Sequence, residues 1–230
     1  MHYLIVVAHP DDEVLGAGGT MYRKAKQGAQ VDVCVLCGGV NARHLRPEDG
    51  DLEQDICQSN AILGVHGRMM GDFPNIQMNN TPHLKLVQFI EQAILKYEPD
   101  VIITHHPTDT NNDHLHTSLA CQAAIRLFQR RPEVKPVREL WFMEVPSATE
   151  WGVNAAMVPF SPNTFVEVGE EGVAKKIQAL STYRDVMRPY PHPRSEESLK
   201  GLAAYRGSQS GLCYAEAFQC VFRREQEEEK

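Results

Sequence analysis

The segment Ala8-His9-Pro10-Asp11-Asp12-Glu13 puts one imidazole and three carboxyl groups directly after an apolar run. Groups of this kind beside a buried strand are costly to desolvate unless they are paired or hold a cation. A neutral His and a carboxylate are two ligands of a typical hydrolytic zinc site, so His9 and Asp12 can turn toward one ion as the chain bends. Asp11, held just outside coordination, would then take a proton from water on that ion. The competing reading is that the acids only cap the helix after Pro10, whose dipole favours negative charge. Capping leaves the clustering of His, Asp and Asp unexplained.

A third ligand has to come from elsewhere. Thr108-Asp109-Thr110-Asn111-Asn112-Asp113-His114 follows a later apolar run. His114, at the start of a helix, is the candidate, with Asp113 behind it to orient a ligand or neighbouring donor. His116 competes, but two residues on it faces roughly the other way. His105 and His106, straight off a strand end, are candidates to line the site. The chain has ten histidines, and four of them lie between positions 105 and 116.

These clusters need elements to position them. Short β-branched runs alternate with helical patterns. Strands are expected over 3–8, 31–37, 68–71, 101–104 and 140–145, and helices over 13–27, 51–63, 81–97 and 113–129. Thr81-Pro82 reads as a helix start. Alternation of this kind implies an α/β, Rossmann-like, mostly parallel sheet flanked by helices. Ligands bind such sheets beyond the carboxyl ends of the strands, where both polar clusters fall. Gly16-Ala17-Gly18-Gly19 lacks the spacing of a phosphate loop and suits close packing of the first helix on the sheet. Residues 146–162 read as a surface loop, 173–183 and 195–205 as helices, and 213–222 as a closing strand. The span 1–230 is expected to be one domain, with 184–230 an irregular closing segment.

Composition narrows the partners. The chain has 230 residues, 42% hydrophobic and 23% charged, with a net charge of −7, which excludes a disordered chain. Without a Lys/Arg stripe it is a poor candidate for nucleic acid. No apolar run reaches the ~20 residues of a membrane span. The first residues read as a strand and not as a signal peptide, so a cytoplasmic protein is expected. The six cysteines suit reduced, buried thiols. Cys34 and Cys37, three apart in one expected strand, face opposite sides and cannot grip one metal.

The sequence resembles the LmbE/PIG-L family of metal-dependent deacetylases. The opening motif AHPDDE is residues 8–13, the second motif ends in Asp113-His114, and Tyr214-Ala215-Glu216-Ala217-Phe218 is similar to the family's closing segment. The resemblance implies that His9, Asp12 and His114 bind Zn²⁺, that Asp11 is the general base, and that an N-acetyl group leaves an acetamido sugar or its conjugate. Fe²⁺, Co²⁺ or Mn²⁺ would suit the same ligands. Many members carry a His three residues before the last ligand; here Asn111 stands there, which donates a hydrogen bond but no proton. His192, in the proline-rich stretch 188–194, is the expected replacement donor. Arg43, Arg46, Arg188 and Arg194 are candidates to meet a phosphate or carboxylate on a small-molecule substrate. A hydrolase of a non-sugar amide and a non-catalytic sugar-binding protein are the alternatives, and homo-oligomer formation stays open.

Overall fold

The computed structural model describes residues 1–39, 49–153 and 157–225. Seven strands form one sheet: β1 His2–Val7, β2 Gln30–Val35, β3 Gly67–Met70, β4 Val101–His105, β5 Glu139–Met143, β6 Thr164–Glu167 and β7 Ala215–Arg223. Their order across the sheet is β3-β2-β1-β4-β5-β7-β6. The five strands from β3 to β5 run parallel, as the alternation predicts, while β7 is antiparallel to both β5 and β6. The helices are α1 Asp12–Lys26, α2 Asp49–Leu63, α3 His83–Tyr97, α4 Asn112–Ala124, α5 Leu127–Arg130, α6 Gly169–Leu180 and α7 Glu196–Ser210.

The apolar run of β1 is explained by burial on both faces. Tyr3, Ile5 and Val7 join the core that includes α1, α2 and α6, while Leu4, Val6 and Ala8 join the one beneath α3 and α4. Each fully buried Leu or Ile contributes about 1.5–3 kcal/mol. Strand β1 sits between β2 and β4, in register at Tyr3↔Val31 and Tyr3↔Val101. The chain therefore leaves β1 in one direction and returns to β4 on the other side. A crevice opens at the carboxyl ends of these two strands.

The glycine-rich stretch packs as expected. A Cβ at Gly16 would run into the Met143 side chain of β5, and one at Gly19 would lie 3.0 Å from Val168. Glu216, in the closing segment, then grips α1 from β7. Its carboxylate accepts the Gly19 and Thr20 N–H groups at 3.0 and 2.7 Å and the Lys176 ammonium at 2.7 Å.

Several boundaries differ from the sequence reading. The helix expected over 113–129 breaks after Ala124 into α4 and α5. Pro82, not Thr81, precedes α3, and no side chain caps it. Strand β6 went unseen: it is four residues long and half-buried at the sheet edge. Ser195 does cap α7, accepting the Ser198 N–H at 3.1 Å, and the closing residues carry both this helix and β7. Cys34 and Cys37 share one core layer, because β2 ends at Val35 and the chain turns before Cys37. Both thiols are free, and burial pushes that of Cys34 up.

Candidate metal centre

The connection from β1 to α1 is a tight turn. Ala8 N–H donates to the His105 Nε2 at 2.9 Å, tying β1 to β4 at their ends. Asp11 precedes α1 with φ 97° and ψ −27°, and its side chain makes no capping bond. This turn folds Asp12 back on His9, whose N–H donates to Asp12 Oδ2 at 2.9 Å and whose Nδ1 lies 3.3 Å from the same oxygen. The acids therefore do more than cap. Left-handed backbone is unfavourable for any residue with a Cβ. Comparison of two variants isolates that cost: Asp11→Gly is expected to be more stable than Asp11→Ala by roughly 1 kcal/mol in denaturant melts. Equal stabilities would show that the turn holds no strain.

The connection from β4 to α4 supplies the other half. Asn111 caps α4 through Oδ1, which accepts the Asp113 N–H at 2.9 Å. That cap aims His114 at the crevice, where its Nε2 lies 3.2 Å from Asp12 Oδ2. On the far side of the ring, Nδ1 is 3.0 Å from Asp109 Oδ2. Asp109 is itself fixed by the Thr149 hydroxyl and the Asn111 N–H, both at 2.8 Å. The His105 ring stacks on His114 at 3.8 Å and 13°. Asp113 reaches back to His9 Nε2 at 2.9 Å and accepts the Ile76 and Met78 N–H groups at 2.6 and 3.0 Å.

These partners set the tautomers. A carboxylate beside His9 Nε2 and another beside His114 Nδ1 favour protons there, so the opposite nitrogens, toward Asp12, are the ones that would give theirs up to an ion. His9, Asp12 and His114 each offer one ligand atom, all within 4.8 Å of one another. Both ring nitrogens of the buried His114 lack a well-aligned hydrogen bond, and Nε2 is the one that faces Asp12, where an ion would sit. The three residues fit a divalent ion. His105, Asp109 and His114 also lie close enough, but His105 Nε2 already accepts Ala8 N–H and Asp109 is already hydrogen-bonded.

Electrostatics point the same way. Burial alone would lower the His114 value, but Asp12 and Asp109 more than offset it and carry it up to about 10. Burial would raise Asp12, yet His114 and His9 hold it well below the usual carboxylate range. Burial, then the neighbouring His114, push His105 down to about 3, so it is a neutral platform. Burial lifts Glu13 to about 7, with Tyr183 opposing and Asp11 adding. The carboxylates thus hold positive charge between His9 and His114.

A cavity of about 680 Å³ opens over the cluster. His9, Asp11, Asp12, Asn111 and His114 line its floor, and Arg188 and Arg194 stand on the wall. Arg194 Nε donates to Ser147 Oγ at 2.8 Å, and its Nη1 lies 3.6 Å from Asp11 Oδ2.

The sequence profile of the PIG-L family, described as GlcNAc-PI de-N-acetylase, matches residues 4–125. The chain belongs to the PIG-L family. The uncharacterized deacetylase YaiS of Escherichia coli K12 is 28% identical over 191 residues, covering 79% of this chain and 89% of YaiS. Two solved structures share the PIG-L fold at lower identity. One is the N,N'-diacetylchitobiose deacetylase of Pyrococcus horikoshii, with TM-score 0.75, 18% identity and coverage of 96% and 83% of the two chains. The other is GalB, the 4-carboxy-2-hydroxymuconate hydratase of Pseudomonas putida, with TM-score 0.76, 22% identity and coverage of 100% and 99%. At these identities the two structures speak for the fold alone.

Within this PIG-L chain the structure brings His9, Asp11, Asp12, Asn111, Asp113, His114 and Arg194 to one place. It does not bring His192. That residue is exposed, is not among the cavity-lining residues, and accepts the Arg194 N–H on Nδ1 at 3.0 Å. Turn bonds from His192 N–H to Pro189 and from Ser195 N–H to His192 fix the arrangement. The expected donor therefore lies outside the cavity lining: the proline-rich turn presents Arg194 to the cavity and His192 to solvent. His106 faces away as well, bonded to Gln219 and Thr108 and edge-on to Phe142 and Phe160. His116 is half-buried and not among the lining residues. Arg43 and Arg46 lie outside the described residues. Sequence reasoning left Asp109, Ser147, Thr149 and Tyr183 without a role. Asp109 was visible inside the second cluster, whereas the other three approach only through the tertiary fold.

Proposed function

We propose that this chain is a divalent-metal-dependent N-deacetylase of an acetamido sugar or sugar conjugate. The observation that carries the reading is the His9–Asp12–His114 donor set, with Asp11 beside it on the floor of one cavity. A hydrolase working this way needs three protein ligands and an open position. A sugar-binding protein has no use for a carboxylate beside such a position.

His9, Asp12 and His114 would hold the ion. A bound ion such as Zn²⁺ supplies acidified water and a Lewis acid for the acetyl carbonyl oxygen. Asp11 takes the proton of the attacking water. Asn111 commits Oδ1 to the helix cap, so its Nδ2 is the group that donates to the oxyanion. With His192 outside the cavity, Asp11 also returns the proton to the departing nitrogen, releasing acetate and a free amine. Arg194 balances the Asp11 charge and is the cation presented to the substrate.

Residues 1–230 are read as one catalytic domain, since the seven strands share a sheet. No helix of the described residues is long and apolar enough to cross a membrane. Six free cysteines suit the reducing cytoplasm.

The test is a zinc assay combined with acetate release from N-acetyl sugars and from acyl-amino acids. Acetate from the sugars alone is expected. Release only from acyl-amino acids would move the substrate to non-sugar amides. Sugar binding without any release would make the chain a binding protein.

A further inference from the structure

Asp11 is held by more than its own turn. Its N–H donates to Glu13 Oε2 at 3.1 Å, and the other oxygen of that carboxylate accepts the Tyr183 hydroxyl at 2.7 Å. Glu13 and Tyr183 are buried, at 1% and 2% exposure, and lie 170 positions apart. Tyr183 belongs to the segment after α6, which then forms the cavity wall at Val186 and Arg188. This segment is anchored independently: Thr182 Oγ1 donates to the Asp55 carbonyl at 3.0 Å, and Arg184 N–H to the Asp55 carboxylate at 3.2 Å.

Helix stability does not explain this arrangement. An acid in the first turn gains the dipole interaction while exposed to water, with no need of a phenol. Burying a carboxyl group is costly unless donors satisfy it. Here the donors include the backbone of the residue at φ 97° and the hydroxyl of Tyr183, whose segment goes on to line the cavity. Both fix where the Asp11 side chain starts from.

We propose that Glu13 and Tyr183 are positioning residues that set the Asp11 carboxylate against the His9–Asp12–His114 centre. Glu13 acts through the Asp11 amide, and Tyr183 acts through Glu13. The proposal rests on the reading of Asp11 as the base.

Tyr183→Phe keeps the ring and removes only the hydroxyl. The variant is expected to bind Zn²⁺ with wild-type stoichiometry and to lose roughly tenfold in kcat, with KM within about twofold, because small misplacements of a reacting group are expensive. Glu13→Ala, which removes both acceptors, should lose more. A double-mutant cycle separates positioning from general structure. In an Asp11→Asn background, Tyr183→Phe should cost nothing further, since its route to the chemistry is gone. The same tenfold loss in both backgrounds would overturn the proposal, as would a lowered melting temperature with kcat intact. Amide hydrogen exchange over residues 9–13 gives a readout that needs no substrate. Faster exchange in Tyr183→Phe is expected, and unchanged exchange would overturn the clamp. If wild type releases no acetate from any amide, the functional reading fails, and exchange still decides the clamp.

Discussion

Asp11→Asn is expected to keep its metal and to lose turnover by a factor of about 10²–10⁴, the usual worth of a positioned general base. The substitution is nearly isosteric. Asn tolerates positive φ better than most residues, so the turn at φ 97° should survive. Asp11 is not part of the His9–Asp12–His114 donor set, so elemental analysis should give unchanged zinc. What the amide cannot do is accept a proton at neutral pH. The Arg194 contact at 3.6 Å is long for a hydrogen bond, and its loss should contribute little to the change. Near-normal turnover would remove Asp11 as the base. A parallel fall in zinc would make it a ligand instead.

The central parallel strands β1 and β4 were legible because they are buried on both faces and read as apolar runs. The signal fades where burial becomes one-sided. Strand β6 is a Thr-Phe-Val-Glu edge whose only described strand partner is β7, and its strand-forming residues are too few to read as a run. Strand β4 runs one residue further than its apolar pattern, to His105. An imidazole at that place looks like a strand terminator in sequence. It stays in the strand because it stacks on His114 and accepts Ala8 N–H, contacts that only the folded sheet creates.

The candidate centre divides in the same way. His9, Asp11 and Asp12 are neighbours in the chain, so their chemistry can be read from six residues. His114 required the additional inference that both clusters share the carboxyl edge of the sheet. The pairing of Glu13 with Tyr183 had no such bridge, because nothing local in either residue points at the other. His192 shows the opposite case. Its type was right for a proton donor, but two-residue spacing in a tight turn sent Arg194 inward and left His192 outside.

His114→Ala should abolish metal binding and, with it, turnover. The ring is the contribution of α4 to the His9–Asp12–His114 set, and with it gone only His9 and Asp12 of the set remain. Two ligands do not make a hydrolytic zinc site. His105 cannot substitute without cost, since its Nε2 would have to release Ala8 N–H. His116→Ala, one half-turn away and half-buried, should leave zinc content unchanged. The cavity left by the missing ring is bounded by Asp109 and His105, so added imidazole should enter it and restore part of the bound zinc. Rescue of this kind would separate lost coordination from a collapsed fold. Asp109→Asn completes the test: it keeps the ring but weakens its carboxylate support, and should reduce zinc affinity about 10–100-fold without abolishing it. Full zinc content in His114→Ala would move the third ligand to another histidine and detach the α4 cluster from the centre.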